Sequence, residues 1–287
     1  MNCIVCGKSI EIDYEIHVND CLDKSIEESK KLEDEKKKED IDEGFLVLTD
    51  CQKKALEYSY KKAKIFEKNT RANVEIKLIK VGFCENDFVK LKEYIKACEV
   101  TINFPVSVLK CLIKDKYIKN AYETNKSSSY LIYRTTKEDV LFNKNYVSAM
   151  PEERVKYGAI NILHEKDGIT STKCYGSCIL VLKNKLKKRI TFVNGNSQAS
   201  HVYICTFDNF MHFFLHSDEH FMGNVLKRMN GEECDYNIPY TEVQIHGDIL
   251  LNRDIEKLMI PNSEYNTNKS SLDEFEKTFP TIKICKI

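Results

Sequence analysis

The distribution of apolar residues along this chain predicts an α+β fold. Stretches with helical spacing fill the region from Thr49 to about Ile118, and strand-like runs dominate after Lys156. Helices first and strands later is the order of that class. A third observation sets the beginning of the chain apart. Four metal-ligating side chains fall within the first 22 positions, ahead of an almost entirely charged run at 23–44. The chain therefore divides into a small module at 1–22, a charged linker or helix at 23–44 and a large domain at 45–287. The large domain comprises a helical lead-in (45–120), a β-rich core (121–260) and a tail (261–287).

In the first module Cys3 and Cys6 form a Cys-x2-Cys pair, and His17 and Cys21 follow as His-x3-Cys. Three thiolates and an imidazole complete a tetrahedral zinc shell. The first pair suits a tight turn. The second suits one face of a helical turn, because residues four apart lie one above the other. Apolar residues such as Ile4, Val5, Ile10, Ile16 and Leu22 offer only a small core, so zinc would supply most of the folding energy. In the linker, acids and bases alternate at helical spacings, which describes a solvated helix or a disordered tether. A tether raises the effective concentration of whatever the first module holds.

In the large domain, Thr49-Asp-Cys-Gln52 is a capping-box pattern that opens a helix running to about Lys68. Val74–Val81 alternates apolar and polar and reads as a strand or a helix start. Helices are expected at Asp87–Cys98 and Leu109–Ile118. Tyr130–Arg134 is a short run of strong β-formers, followed by a mixed helical patch at 137–150. Strands are expected at Lys156–Ile162, at Gly176–Leu182 in a central position, at Arg189–Val193, at His201–Phe207 and at Tyr240–Ile245. Asp208–Met229 reads as one helix closed by Asn230-Gly231. Ile249–Ile260 reads as a short element with an acidic-capped helix.

Composition limits the function classes. Lys+Arg and Asp+Glu are both 44 in 287 residues, and a zero net charge argues against a general nucleic-acid binder. No apolar run approaches the roughly 20 residues of a membrane span, and no basic-then-apolar leader opens the sequence. Of twelve cysteines, those outside the first module are scattered without a second Cys-x2-Cys. That pattern reads as reduced thiols in a cytoplasmic or nuclear setting.

The polar residues that stand out lie at strand ends. Arg134 closes one run, and Arg189 and Thr191 share another. Glu242, Gln244 and His246 alternate, so they face one side of a third. Two other groupings are weaker. His212, His216 and His220 recur every four residues and define a polar helix side, with Phe210, Phe213, Phe214 and Phe221 on the apolar one. Cys174 and Cys178, with His164 as a base, lack the marks of an activated thiol. No Gly-x4-Gly-Lys-Ser/Thr phosphate loop is present.

Two resemblances join these observations. Cys3-Ile-Val-Cys6-Gly7 and His17-Val-Asn-Asp20-Cys21-Leu22 resemble the UBZ-type ubiquitin-binding zinc fingers of damage-tolerance and repair proteins. This implies ubiquitin or a ubiquitylated protein as partner. The blocks Leu48–Ala55, Val100–Phe104, Tyr122–Thr124, Arg154–Asn161, Tyr175–Cys178, Arg189–Ser197 and Tyr240–Ile249 resemble a bacterial and protist family of formerly uncharacterised domains in the ADP-ribosyltransferase superfamily. That resemblance implies a split β-sandwich clasping NAD, with Arg134, Thr191 and Glu242 as the catalytic set. Arg154, Tyr157, Arg189, Ser197, Gln244 and His246 would join Arg134 and Thr191 around the NAD, Arg154 and Arg189 being rival ligands of its pyrophosphate. The chain departs from the family at Pro105-Val106 and at Ala121–Ser129. The function implied is mono-ADP-ribosylation of ubiquitin or a ubiquitin-bearing protein. The alternatives are a non-catalytic ubiquitin-binding adaptor with a degenerate transferase fold, and a zinc-finger DNA-repair factor.

Overall fold

The computed structural model describes residues 43–125, 128–197, 202–236 and 238–287. The Cys3, Cys6, His17 and Cys21 tetrad, expected to bind zinc, and most of the charged linker lie outside these residues. Residues 44–287 form one unit.

Its first long element is the helix α1 (Asp50–Val81). Thr49 N donates to Gln52 Oε1 at 3.0 Å, as the Thr-x-x-Gln pattern requires. Gln52 Nε2 then reaches Glu153 O at 2.9 Å, tying the helix start to the segment just before Lys156. The helix runs 13 residues past Lys68, through the stretch whose alternation left strand or helix open. Val74 and Leu78, four apart, are buried together, while Ile76 and Ile79 are exposed. Helical spacing thus decides that stretch. Gly82 ends α1 at φ 112°, a left-handed conformation that glycine adopts without strain.

Helix α2 (Glu85–Ala97) follows, then strand β1 (Val100–Phe104) and helix α3 (Leu109–Asp115). Helix α4 (Ser128–Leu141) occupies the segment expected to begin as a strand. Beyond it run β2 (Lys156–Ile160), β3 (Cys178–Leu182), β4 (Ile190–Val193) and β5 (Ile204–Thr206). The single helix expected over Asp208–Met229 is two. A short turn at Phe213–His216 is separated by Ser217 and Asp218 from α5 (Glu219–Met229). Asp218 caps α5, its side chain accepting from Phe221 N, and an N-cap residue must leave helical geometry. Strands β6 (Thr241–Ile245) and β7 (Ile255–Ile260), helix α6 (Lys269–Thr278) and strand β8 (Lys283–Lys286) complete the chain.

The strands form one eight-stranded sheet in the order β5-β4-β6-β2-β1-β3-β7-β8. Its neighbours are antiparallel except for the parallel β7–β8 pair. This corrects the expected split β-sandwich: among the described residues the architecture is mixed α/β with a single sheet. β1, from within the stretch read as a helical lead-in, is one of its two middle strands.

The register places every residue on a face, because directly paired residues point the same way. One face carries Val100, Phe104, Ile160, Leu180, Phe192, Val243, Ile245 and Leu258. These belong to the main hydrophobic core with residues of α1, α2, α3, α5 and α6. The opposite face carries two small apolar clusters. One, around Val193 and Ile204, packs with Ala55, Phe142 and Tyr146. The other comprises Ile179, Val181 and Met259. Between these clusters the same face is polar.

Candidate active site

The polar band follows from three registers. Thr191 pairs with Gln244 and Gln244 with Tyr157; Glu242 pairs with Ala159, and Ala159 with Thr101. β1 and β2 share only two aligned pairs, Val100 with Ile160 and Thr101 with Ala159. Beyond them β1 keeps to β3 through Phe104, and β2 keeps to β6 through Lys156. The opening between the parting strands is a cleft of about 150 Å³. Thr101, Ile102 and Asn103 line one side and Tyr157, Gly158 and Ala159 the other, with Arg134, Tyr175, Tyr240 and Glu242 around them. A side chain at Gly158 would place its Cβ 2.5 Å from Thr101 O, so glycine is what lets the strands approach where they begin to part.

Arg134 reaches the cleft from α4 rather than from a strand end. Its guanidinium carbon lies 4.2 Å from the centre of the Tyr157 ring. One turn on, Glu138 is almost fully buried and accepts from Tyr157 Oη at 2.8 Å and from Arg154 NH1 at 2.8 Å. The i,i+4 spacing on α4 therefore puts a cation over the ring and an anion at its hydroxyl. Burial pushes the Glu138 carboxyl above its ordinary range, opposed by the bonds from Tyr157 and Arg154.

Glu242 lines the cleft with a side chain largely withdrawn from water. Its Oε1 accepts from Gln244 Nε2 at 3.0 Å and from Ser197 N at 3.3 Å. Burial raises its pKa above the usual carboxylate value; the Ser197 and Gln244 bonds and the Arg134 charge pull it back. The rim is aromatic. Tyr175 and Tyr240 share a 2.8 Å hydroxyl–hydroxyl bond, with their rings edge to face at 5.9 Å.

The residues expected around a nucleotide separate into two groups. Arg134, Tyr157 and Glu242 line the cleft, and Ser197 serves it through its backbone N–H. Thr191, Gln244 and His246 are fully buried behind Glu242, away from the cleft lining. The rival pyrophosphate ligands are committed elsewhere. Arg154 is engaged by Glu138 and by Tyr146 O. Arg189, wholly buried, donates to His246 O at 2.7 Å and to Asp254 Oδ2 at 3.2 Å. Asn103, Tyr175 and Tyr240 line the cleft without having stood out as single residues; they lay in the resembling blocks without a chemical signature of their own.

The weaker groupings do not assemble. His212 bonds Ile204 O, His216 stacks on Tyr203 and His220 faces Asp235. Among the described residues no cluster of His, Cys, Asp and Glu is arranged to hold a metal ion. His164 lies beside Cys98 rather than Cys174 or Cys178. The nine cysteines from Cys51 to Cys285 are free thiols, and no helix among the described residues is long and apolar enough to cross a membrane.

Comparison with known proteins gives one family match, over part of the chain. Residues 101–216 match the model of a family described as a protein of unknown function, DUF3626. No curated protein matches the chain. Among solved structures, it is similar to a DarT from Thermus sp. 2.9 in complex with ADP-ribosylated ssDNA. That match has 9% identity and a TM-score of 0.38, covering 66% of this chain and 93% of that one. The same DarT in complex with NAD+ matches with 8% identity and a TM-score of 0.36, covering 66% and 94%. Thermosipho africanus DarTG in complex with ADP-ribose matches with 10% identity and a TM-score of 0.35, covering 66% and 49%.

Proposed function

We propose that the large domain is an NAD-dependent ADP-ribosyltransferase, with Glu242 and Arg134 as its working charges. The observation that carries this reading is the gap between β1 and β2, where a withdrawn carboxylate and a guanidinium held over an aromatic ring line the same small cleft. NAD asks for such a set. Its pyrophosphate needs a planar cationic donor, its nicotinamide ring an aromatic surface, and its ribose a carboxylate acceptor. Arg134, the Tyr175–Tyr240 rim and Glu242 meet these needs in turn.

In the reaction the bond between ribose C1′ and the nicotinamide nitrogen breaks, and nicotinamide leaves with the electron pair. Positive charge then develops on the ribose. A carboxylate held in a poorly solvated wall stabilises that charge without having to reorganise. An acceptor nucleophile forms the new bond to C1′ and loses its proton, and an ionised Glu242 is the base at hand. Where the acceptor is water, the outcome is NAD hydrolysis.

The acceptor proposed is ubiquitin or a protein carrying it, delivered by a zinc finger built on Cys3, Cys6, His17 and Cys21. The support is the sequence of those first 22 residues. Such a protein would work in the cytoplasm or nucleus.

Labelled NAD incubated with the full chain, with and without ubiquitin, tests both parts. Wild type should release nicotinamide, and Glu242→Gln should not. Transfer of label to ubiquitin supports the acceptor; hydrolysis without transfer removes it and leaves the donor reading. Neither turnover nor calorimetric binding of NAD would return the domain to the adaptor class. Zinc chelation or Cys21→Ser should reduce transfer to ubiquitin more than hydrolysis, and equal losses would make the finger structural support only.

A further inference from the structure

Behind the cleft, four buried hydrogen bonds join five side chains in a line. Tyr146 Oη lies 2.7 Å from His246 Nδ1, and His246 Nε2 lies 3.3 Å from Thr191 Oγ1. Thr191 Oγ1 donates to Gln244 Oε1 at 3.1 Å, and Gln244 Nε2 donates to Glu242 Oε1 at 3.0 Å. Tyr146, His246, Thr191 and Gln244 have no solvent exposure, and Glu242 has 5%. The last link was within reach of sequence reasoning, because Glu242 and Gln244 alternate on one strand; the pairing of Thr191 with Gln244 needs the register. Tyr146, 100 residues from His246 in sequence, was out of reach.

The chemistry of the groups fixes the direction of every bond. An ionised Glu242 only accepts, so Gln244 turns its amide nitrogen toward it. The Gln244 carbonyl then faces Thr191 and takes that residue's single hydroxyl hydrogen. Thr191 Oγ1, its hydrogen spent, must accept from His246, which places a proton on Nε2. Burial, with the nearby Arg189 cation, keeps His246 neutral, so Nδ1 carries no proton and accepts from the Tyr146 hydroxyl. All four donors point toward Glu242. A protonated Glu242 keeps an oxygen that can accept from Gln244 Nε2, but a neutral acceptor binds that donor more weakly than a carboxylate does, so the line favours the ionised form.

We propose that Gln244, Thr191, His246 and Tyr146 are positioning residues: a one-way hydrogen-bond relay that holds Glu242 ionised and fixes its carboxylate against the cleft. This rests on the reading of Glu242 as the working carboxylate. The relay explains why three polar residues of the resembling blocks sit where no ligand can touch them. Bonds in such a line polarise one another, and a buried polar line must be fully satisfied to be tolerated. The groups facing Glu242 from other elements are the Arg134 cation on α4, the Tyr157 hydroxyl side of β2 and Tyr240 just before β6. Of these only Arg134 is charged, and it favours the same ionised form.

The test titrates the Glu242 carboxyl in the ligand-free full chain by ¹³C NMR, assigned with Glu242→Gln, and compares variants that keep shape but break one link. Thr191→Val and Tyr146→Phe should both shift the Glu242 titration to higher pH, and Thr191→Ser should restore it. In NAD turnover the two breaking variants should lower kcat about tenfold, KM for NAD holding, as expected for a misaimed group. The acidic limb of the pH–rate profile should move in the same direction as the NMR titration. An unshifted Glu242 titration in both folded variants would overturn the relay. The expected shifts in a protein that never turns over NAD would uphold the relay and remove the enzyme reading instead.

Discussion

The guanidinium of Arg134 lies over one aromatic ring of the cleft, its central carbon 4.2 Å from the centre of Tyr157. The hydroxyl of that ring is anchored 2.8 Å from Glu138 Oε1. Arg134 is thus aimed by a ring that is itself pinned. Removing either partner should loosen the other. Arg134→Lys keeps a charge but loses the plane that stacks and the fork that grips a phosphate. It should weaken NAD binding about tenfold by calorimetry, and Tyr157→Phe, which frees the ring from Glu138, should weaken it less. In the double variant the losses should fall short of additive, as for residues in contact.

Glu242 is kept withdrawn from water at a cost to stability, and the sign follows from its raised pKa. The unfolded chain ionises at a lower pH than the fold does, so folding loses stability as pH rises from the free carboxylate value through the raised one. Glu242→Gln, which can keep an oxygen for the Ser197 and Gln244 donors, should melt higher than wild type at neutral pH. The advantage should vanish in acid, where the wild-type carboxyl is already protonated. The same variant should lose roughly 10²–10³-fold in NAD turnover. Calorimetric melting at two pH values, beside a nicotinamide-release assay, checks both halves.

His246 gives the opposite dependence. Burial and the nearby Arg189 cation push its pKa down to about 3, against roughly 6.5 for a free imidazole. Below about 6.5 the unfolded chain takes up a proton that the fold refuses. Stability should then fall by at most about 1.4 kcal/mol per pH unit from this group, until the pH nears the folded value. Denaturant midpoints between neutral and mildly acidic pH should show this slope, and His246→Gln should flatten it.

Asp254 anchors two arginines away from the cleft. Its Oδ2 accepts from Arg189 at 3.2 Å, Arg253 at 2.6 Å and Leu250 N at 2.8 Å, and both Asp254 and Arg189 are wholly buried. Asp254→Ala strands a buried cation and should cost about 3–5 kcal/mol in urea unfolding. In an Arg189→Met background the same change should cost much less.

Gly158→Ala tests the parting of the strands. The added carbon meets backbone at Thr101 O, so β1 must move away from β2. About 1–3 kcal/mol of stability should be lost, together with NAD binding. Calorimetry on the folded variant separates the two effects.

Much of the sheet was legible because its strands are short and apolar between turn signals. β3 reads Cys-Ile-Leu-Val-Leu and is buried on both faces, as a central strand must be. β6 announced its polar face through Glu-x-Gln-x-His. Helix α4 was not legible. Tyr-Leu-Ile-Tyr prefers strands locally, yet Arg134, Glu138 and Leu141 at helical spacing supply one face toward the cleft and the core, and tertiary burial outweighed propensity. The arginines were the harder matter. A guanidinium open to a cleft and one spent in an ion pair have the same letter. The partners of Arg154 and Arg189 lie 16 and 65 residues away, beyond any local pattern. Thr191 was found as a chemical group and misplaced as a contact, because sequence alternation gives the face of a strand but not what covers it.

The two-pair seam between β1 and β2 has a mechanical meaning. Elsewhere in the sheet adjacent strands are stitched over three to five residue pairs; here the ladder is missing its upper rungs. Each half of the sheet is stiff in itself, so strain concentrates at this seam. A molecule bridging Asn103 to Tyr157 would act as a splint across it. Occupancy should therefore register as slower amide exchange along both parted strand ends, even in residues the molecule never touches.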